Sequence, residues 1–438
     1  MRKLVLAMLL CAGCAARGRV MRLDGTTISP AEIDATVERV MRAARVPGVG
    51  LAVFSHGVPV YVRAYGVRDQ TRGLPLTIDT VMPGASLTKA AFAILVMQLV
   101  GAGQIDLDRP IRDYLPRPVA EYPAYADLAG DPRVDRLTAR MLLSHTSGFA
   151  NWRWLEDDRK LAIHFEPGTR FAYSGEGIAL LQRVVEAVAQ APLDRLMDAR
   201  VFGPLGMTRT SMVWQPRFEA DHADGHDESG GRLGPQRRTR PDAAGSMQTT
   251  LADYARLVAA VMQGRALRPT MRDEMLRPQI RIDSAHEFPT LSDETTAANR
   301  SIDLSYGLGW GLYRTPYGRA FFKEGHDDGW RHYAVGFDAG SGLLIMTNSS
   351  NGEGIYQALL ETVLGNRFTP LDWEGFMPYD EIDRSPLARF PPPGPPGERT
   401  RADLRSAAPD AEGSAAAAAR RMKPNPVRAS VPPPSCEG

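Results

Sequence analysis

The sequence predicts an α+β fold in which one sheet is assembled from two distant stretches of chain, with helices between them. Three observations carry this. Residues 49–62 place two apolar runs, Val-Gly-Leu-Ala-Val-Phe and Val-Pro-Val-Tyr-Val, around a Ser-His-Gly turn, the pattern of a β-hairpin. A second strand-rich zone, 306–348, contains Gly-Leu-Gly-Trp-Gly-Leu-Tyr, then Arg331-His332-Tyr333-Ala334-Val335-Gly336-Phe337, then Gly342-Leu343-Leu344-Ile345-Met346-Thr347. Between these zones, residues 90–100 are apolar on nearly every face, so they read as a helix buried on all sides. Residues 178–189 and 251–263 carry the period of amphipathic helices.

At roughly 150 residues per domain, 438 residues allow about three domains, fewer where the ends lie outside the fold. Hydrophobic residues at 43% and charged residues at 24% are ordinary for a globular protein and exclude collagen, disorder throughout and a polytopic membrane protein. The net charge of +1, without a long basic block, gives no reason to expect nucleic acid as a partner.

Residues 1–19 hold Arg2, Lys3, Arg17 and Arg19 and no acid, with a short apolar run beginning at Leu4. A basic start, a short apolar core and small residues are the parts of an export signal, and the run is too short to span a bilayer. The Ala12-Gly13-Cys14 ending is similar to a lipoprotein processing site with Cys14 acylated, although Cys11 stands where an aliphatic residue is usual. A plain cleaved signal is the alternative. The three cysteines, Cys11, Cys14 and Cys436, all fall outside the expected fold, which therefore has neither a disulfide nor a thiol nucleophile. Residues 384–438 carry 12 of the 34 prolines and one aromatic residue, Phe390, too little apolar surface to offset ordering. They read as a disordered tail. The middle, 20–383, is left acidic.

Ser86-Leu87-Thr88-Lys89 stands just before the buried helix. Residues three apart on an α-helix share a face, so the hydroxyl and the amine can exchange a proton. Backbone N–H groups at the helix start can hold a developing oxyanion. A lysine with a pKa of about 10.4 must be desolvated before it acts as a base, and the apolar helix supplies that setting. The bland alternative is a capping serine followed by a solvated lysine. Two companions lie downstream. Pro167-Gly168-Thr169-Arg170-Phe171-Ala172-Tyr173-Ser174-Gly175 is a turn leading to a tyrosine before a helix, and Glu324-Gly325-His326-Asp327-Asp328-Gly329-Trp330 lies on or beside a strand.

With these residues the chain resembles the serine β-lactamase and penicillin-binding protein superfamily, in its class C-like, esterase-containing branch, over about 28–365. Leu142-Leu143-Ser144-His145-Thr146-Ser147-Gly148, Pro204-Leu205-Gly206-Met207, Ala243-Ala244-Gly245-Ser246-Met247 and Tyr306-Gly307-Leu308-Gly309-Trp310 follow in family order. The resemblance implies a β-lactamase/transpeptidase-like fold: an antiparallel sheet, about 28–80 and 245–365, flanked by helices, with an inserted all-helical lobe at about 81–244. It implies a nucleophile at Ser86, its base at Lys89, a second general acid/base at Tyr173, and an oxyanion site from the N–H of Ser86 and one after His326, at Gly329. No cofactor or metal is implied. The reaction would run through an acyl-enzyme on a small ester, amide or peptide. The export segment, rather than the resemblance, leads to the expectation of the periplasm or a membrane anchor at Cys14, with envelope contact through the anchor or the tail.

Two positions depart from the family pattern. Gly175 stands where the tyrosine motif usually has asparagine. In the strand motif, usually Lys or His, then Thr or Ser, then Gly, His326 fits the first place but Asp327 and Asp328 take the next two. Two acids would repel a substrate carboxylate, so a neutral or cationic ester or amide is expected, with Arg331 as an offsetting charge. A β-lactamase or D,D-peptidase, and a non-catalytic envelope binding protein on the same fold, are the alternatives. His222, Asp224, His226 and Asp227 resemble a metal-ligand set but sit in a Gly-rich loop, and His145 reads as structural. Trp152 and Trp154 either line the cleft or cover the helical lobe.

Overall fold

The computed structural model describes residues 18–380. Cys11, Cys14, Cys436 and nearly all of the export segment and proline-rich tail lie outside them. Among the described residues no helix is long and apolar enough to cross a membrane.

The frame is a nine-stranded antiparallel sheet. Its strands are β1 (Gly48–Ser55), β2 (Val58–Asp69), β3 (Leu74–Pro75), β4 (Ile280–Arg281), β5 (Ser305–Tyr306), β6 (Gly311–Thr315), β7 (Gly318–Asp327), β8 (Trp330–Phe337) and β9 (Gly342–Thr347). They lie side by side in the order β4-β5-β6-β7-β8-β9-β1-β2-β3. The two stretches join where β9 pairs with β1, Thr347 opposite Val49 and Gly342 opposite Phe54. The expected hairpin forms as β1 and β2, turning at His56 and Gly57, both at positive φ (52° and 73°), as a tight two-residue hairpin requires.

Helices cover both faces. Alternation along β1 sends Val49, Leu51 and Val53 toward helix α1 (Pro30–Ala44), and Ala52 and Phe54 toward the cluster holding α2 (Leu87–Gly101) and α4 (Leu251–Met262). That is why β1 is apolar throughout rather than alternating. Helix α1 starts at a capping box: Ser29 Oγ accepts from Glu32 N–H at 3.2 Å, and Glu32 Oε2 accepts from Ser29 N–H at 2.7 Å. It buries Ile33, Val37, Val40, Met41 and Ala44 along one stripe. Helix α2 is buried along almost its whole length, as its composition predicts, and α3 (Gly175–Ala189) packs within the same cluster through Ile178, Leu181 and Val185.

Candidate active site

The turn before α2 is built by two chain segments. Met82–Pro83 pairs with Gln248–Thr249, and Gly84 N–H donates to Met247 O at 2.6 Å. Ala85 is held at φ 44°, a left-handed conformation that a residue with a Cβ adopts at a cost of about 1–3 kcal/mol, offset by the surrounding bonds. Ser86 follows in helical conformation at the N-cap, immediately before Leu87, yet makes no capping bond with its side chain. The capping-serine alternative therefore does not describe it. Nor is Lys89 solvated: it is fully buried, and its Nζ donates to Ser86 Oγ at 2.9 Å and to Ala244 O at 2.7 Å. The 243–247 segment thus contributes through a backbone carbonyl, which no side-chain pattern announces.

Tyr173 is fully buried beside two lysines. Lys89 Nζ lies 4.9 Å and Lys323 Nζ 4.8 Å from its ring centre, and Lys323 Nζ donates to its hydroxyl at 3.2 Å. His145 packs on the tyrosine with ring centres 4.4 Å apart, and its Nδ1 accepts from Ser174 N–H at 3.1 Å. Burial, followed by the charges of Lys323 and Lys89, holds His145 well below the usual histidine range, so it stays neutral at neutral pH. It braces the tyrosine segment, the structural part expected of it.

Strand β7 corrects the sequence reading. It passes the Ser86 turn at Gly325, where a Cβ would stand 2.9 Å from Gly84 O and 3.0 Å from Leu87 Cγ, a close approach that only glycine permits. With Lys323 on Tyr173 and Gly325 against the turn, Lys323-Glu324-Gly325 takes the place assigned to His326-Asp327-Asp328, three residues earlier. The Lys-x-Gly spacing was visible in the sequence, and only its middle residue departs from the family pattern. Alternation turns the His326 imidazole to the other face of the strand, near Glu353 (3.8 Å) and Phe376.

Gly329, expected to supply an oxyanion N–H, lies in the β7–β8 turn and donates instead to Ser350 Oγ at 3.0 Å. Its N–H is taken up by the segment that follows β9. The two acids are corrected as well. Asp327 is buried and paired with Arg238 at 2.5 Å, and Asp328 is exposed at the turn. Arg331, expected to offset them, pairs with Glu353 at 2.8 Å and donates to the Asp327 backbone carbonyl.

Behind Lys323 lies a feature that spacing does not reveal, because its members are 37 and 50 residues apart in sequence. Glu287, Glu324 and Glu374 are all buried, with carboxylate oxygens within 4.8 Å of one another. Glu324 forms a buried ion pair with Lys323, and Glu374 Oε2 accepts from Tyr333 OH at 2.7 Å. Burial, then the charges of Glu287 and Glu324, pushes the Glu374 carboxyl well above the usual range. The same causes keep the buried Tyr306 hydroxyl protonated. Among the described residues this is the one group of three such side chains placed to share a ligand. His222, Asp224 and His226 take separate partners: Phe218 O, Arg232 and Asn348 O.

The aromatic pair is also placed. Trp152 is buried, its ring centre 5.9 Å from Lys89 Nζ, and Trp154 stacks on it at 4.6 Å with the rings 10° apart.

Comparison with known proteins shows the family and the fold. The Beta-lactamase family pattern matches residues 33–364, and the chain belongs to that family of serine hydrolases. Esterase EstB of Burkholderia gladioli is 33% identical over 235 residues, 47% of this chain and 57% of EstB, so the match spans little more than half of that relative. Penicillin-binding protein 4 of Amycolatopsis lactamdurans is 28% identical over 369 residues, 78% of this chain and 92% of the relative. Among solved structures, the octameric penicillin-binding protein homologue from Pyrococcus abyssi superposes with a TM-score of 0.62 at 20% identity, covering 80% of each chain, a likeness of fold.

Proposed function

We propose that the protein hydrolyses a carboxylic ester or amide, uncharged at the end facing β7, through an acyl-enzyme on Ser86. The observation that carries this is the bond from Lys89 Nζ to Ser86 Oγ at 2.9 Å, with Tyr173 held beside the same lysine. Ser86 Oγ attacks the carbonyl carbon as its one proton is relayed through Lys89 to the Tyr173 oxygen. The tetrahedral oxyanion is held by the N–H of Ser86 and, with β7 read three residues earlier, that of His326. As the C–O or C–N bond breaks, Tyr173 returns the proton to the leaving group. Water then repeats the sequence on the acyl-enzyme, releasing the acid and restoring Ser86.

The preference for an uncharged substrate now rests on Glu324 rather than on Asp327 and Asp328. A substrate carboxylate near β7 would seek a cation, but Lys323 is paired with Glu324, Arg238 with Asp327 and Arg331 with Glu353. The similarity to an esterase supports an ester as the substrate class.

Labelling with a fluorophosphonate probe, compared between the native protein and Ser86→Ala, tests the nucleophile. Absence of Ser86-dependent labelling would return the chain to the non-catalytic binding protein. Turnover of a short-chain 4-nitrophenyl ester against a chromogenic cephalosporin tests the substrate, and efficient lactam turnover without esterase activity overturns the ester assignment. Placement at the cell envelope is likewise our proposal, resting on the residue pattern of 1–19. Palmitate labelling that survives Cys14→Ser would refute the lipid anchor.

A further inference from the structure

We infer that the substrate carries a flat aromatic group, recognised by the Trp152–Trp154 stack. The inference deepens the proposed ester or amide hydrolysis and rests on that reading for its placement of the scissile bond at Ser86.

Gly175 has no side chain where the family pattern has asparagine. A Cβ there would stand 2.4 Å from Cζ2 and Cη2 of Trp152, so the indole occupies the space a side chain at 175 would take. A polar amide is thereby replaced by an aromatic surface immediately beside Lys89 and therefore one residue removed from the nucleophilic oxygen.

The indole is held firmly. Asn151 Oδ1 accepts from Gly175 N–H at 2.9 Å, and Asn151 O accepts from Glu176 N–H at 3.1 Å. Arg153 then clamps Glu176, with Nε to Oε1 at 2.8 Å and Nη2 to Oε2 at 2.6 Å, while its own N–H donates to Oε1 at 3.1 Å. These bonds tie residues 151–153 to the first turn of α3, the helix that Tyr173 and Ser174 lead into. Trp152 is thus fixed relative to the tyrosine.

Trp154 continues the stack outward and is 40% exposed, against 8% for Trp152. A nearly parallel pair of indoles therefore runs from the buried lysine to the surface, ending in an indole accessible to a ligand. An exposed tryptophan costs hydrophobic free energy, whereas a rigid one beside a reaction centre offers a large contact area at little further entropic cost. Offset stacking favours a planar conjugated ring over a saturated ring of similar size.

The test uses two ester substrates, the 4-nitrophenyl esters of 2-naphthylacetic and cyclohexylacetic acid, and the two corresponding primary amides as ligands of the Ser86→Ala protein. The native protein is expected to favour the naphthyl ester about five- to tenfold in kcat/KM, and Ser86→Ala to bind the naphthyl amide tighter by a similar factor. Trp154→Ala should bring both ratios to about one, and Trp154→Phe should restore part of them. A native ratio near one, or a preference that survives Trp154→Ala, overturns the inference. If neither ester is turned over but the binding ratio and its loss in Trp154→Ala hold, the hydrolase reading falls and the aromatic site stands.

Discussion

Glu324→Gln tests how the acid cluster acts on Tyr173. The substitution keeps the shape of the side chain and removes the charge that pairs with Lys323. Lys323 Nζ is 3.2 Å from the tyrosine oxygen. At an effective dielectric of about 20, an uncompensated ammonium at that distance favours the phenolate by about 5 kcal/mol, close to 4 pK units. The Glu324 carboxylate cancels part of this in the native protein. Removing it is expected to lower the apparent pKa of Tyr173. The assay is the pH dependence of kcat/KM on a 4-nitrophenyl ester: the rising limb should move to lower pH in Glu324→Gln and to higher pH in Lys323→Met. A limb that stays in place in both variants would refute the electrostatic link between the lysine and the tyrosine.

Four further outcomes follow from the same geometry. Lys89→Met should lower kcat/KM by about 10²–10⁴-fold, measured with the same ester, because it removes the group bonded to Ser86 Oγ. Gly175→Ala should force Trp152 to move by about 1 Å and cost about 1–3 kcal/mol in urea unfolding, as overpacking does. Arg238→Met leaves the buried Asp327 carboxylate unpaired and should cost about 3–5 kcal/mol; adding Asp327→Leu should recover most of that in the same unfolding assay. Glu374 has a raised carboxyl pKa in the folded protein, so the folded state binds that proton more tightly than the unfolded chain. Its contribution to stability is full below the ordinary carboxylate range and is lost as the pH rises through the raised value. Glu374→Gln should therefore flatten the fall of Tm with rising pH.

Much of the site was legible because it is local. Ser86 and Lys89 share a helix face by backbone geometry alone, and the apolar residues after them announce that the helix is buried. Tyr173 was legible from a turn before a helix together with its family context. Lys323 was missed although Lys-x-Gly was in view, since His326-Asp327-Asp328 offered a competing match in the same strand. Glu287 was missed for another reason. It stands outside every recognised motif, and its burial beside Glu324 and Glu374 is decided by a loop and a C-terminal turn meeting behind the sheet.

The sequence by itself determined the helical face that presents Ser86 to Lys89, the hairpin that opens the sheet and the aromatic residues available near the tyrosine. Only the tertiary structure decided which residue of β7 meets that tyrosine. Side chains along a strand alternate, so a three-residue change of register exchanges the two faces: Lys323 reaches Tyr173 while the His326 imidazole turns away. The charge of the cleft changes with it. The acids named from the sequence are an ion-paired Asp327 and an exposed Asp328, and the carboxylate that balances the site is Glu324, because long-range packing sets which buried charges can find a partner.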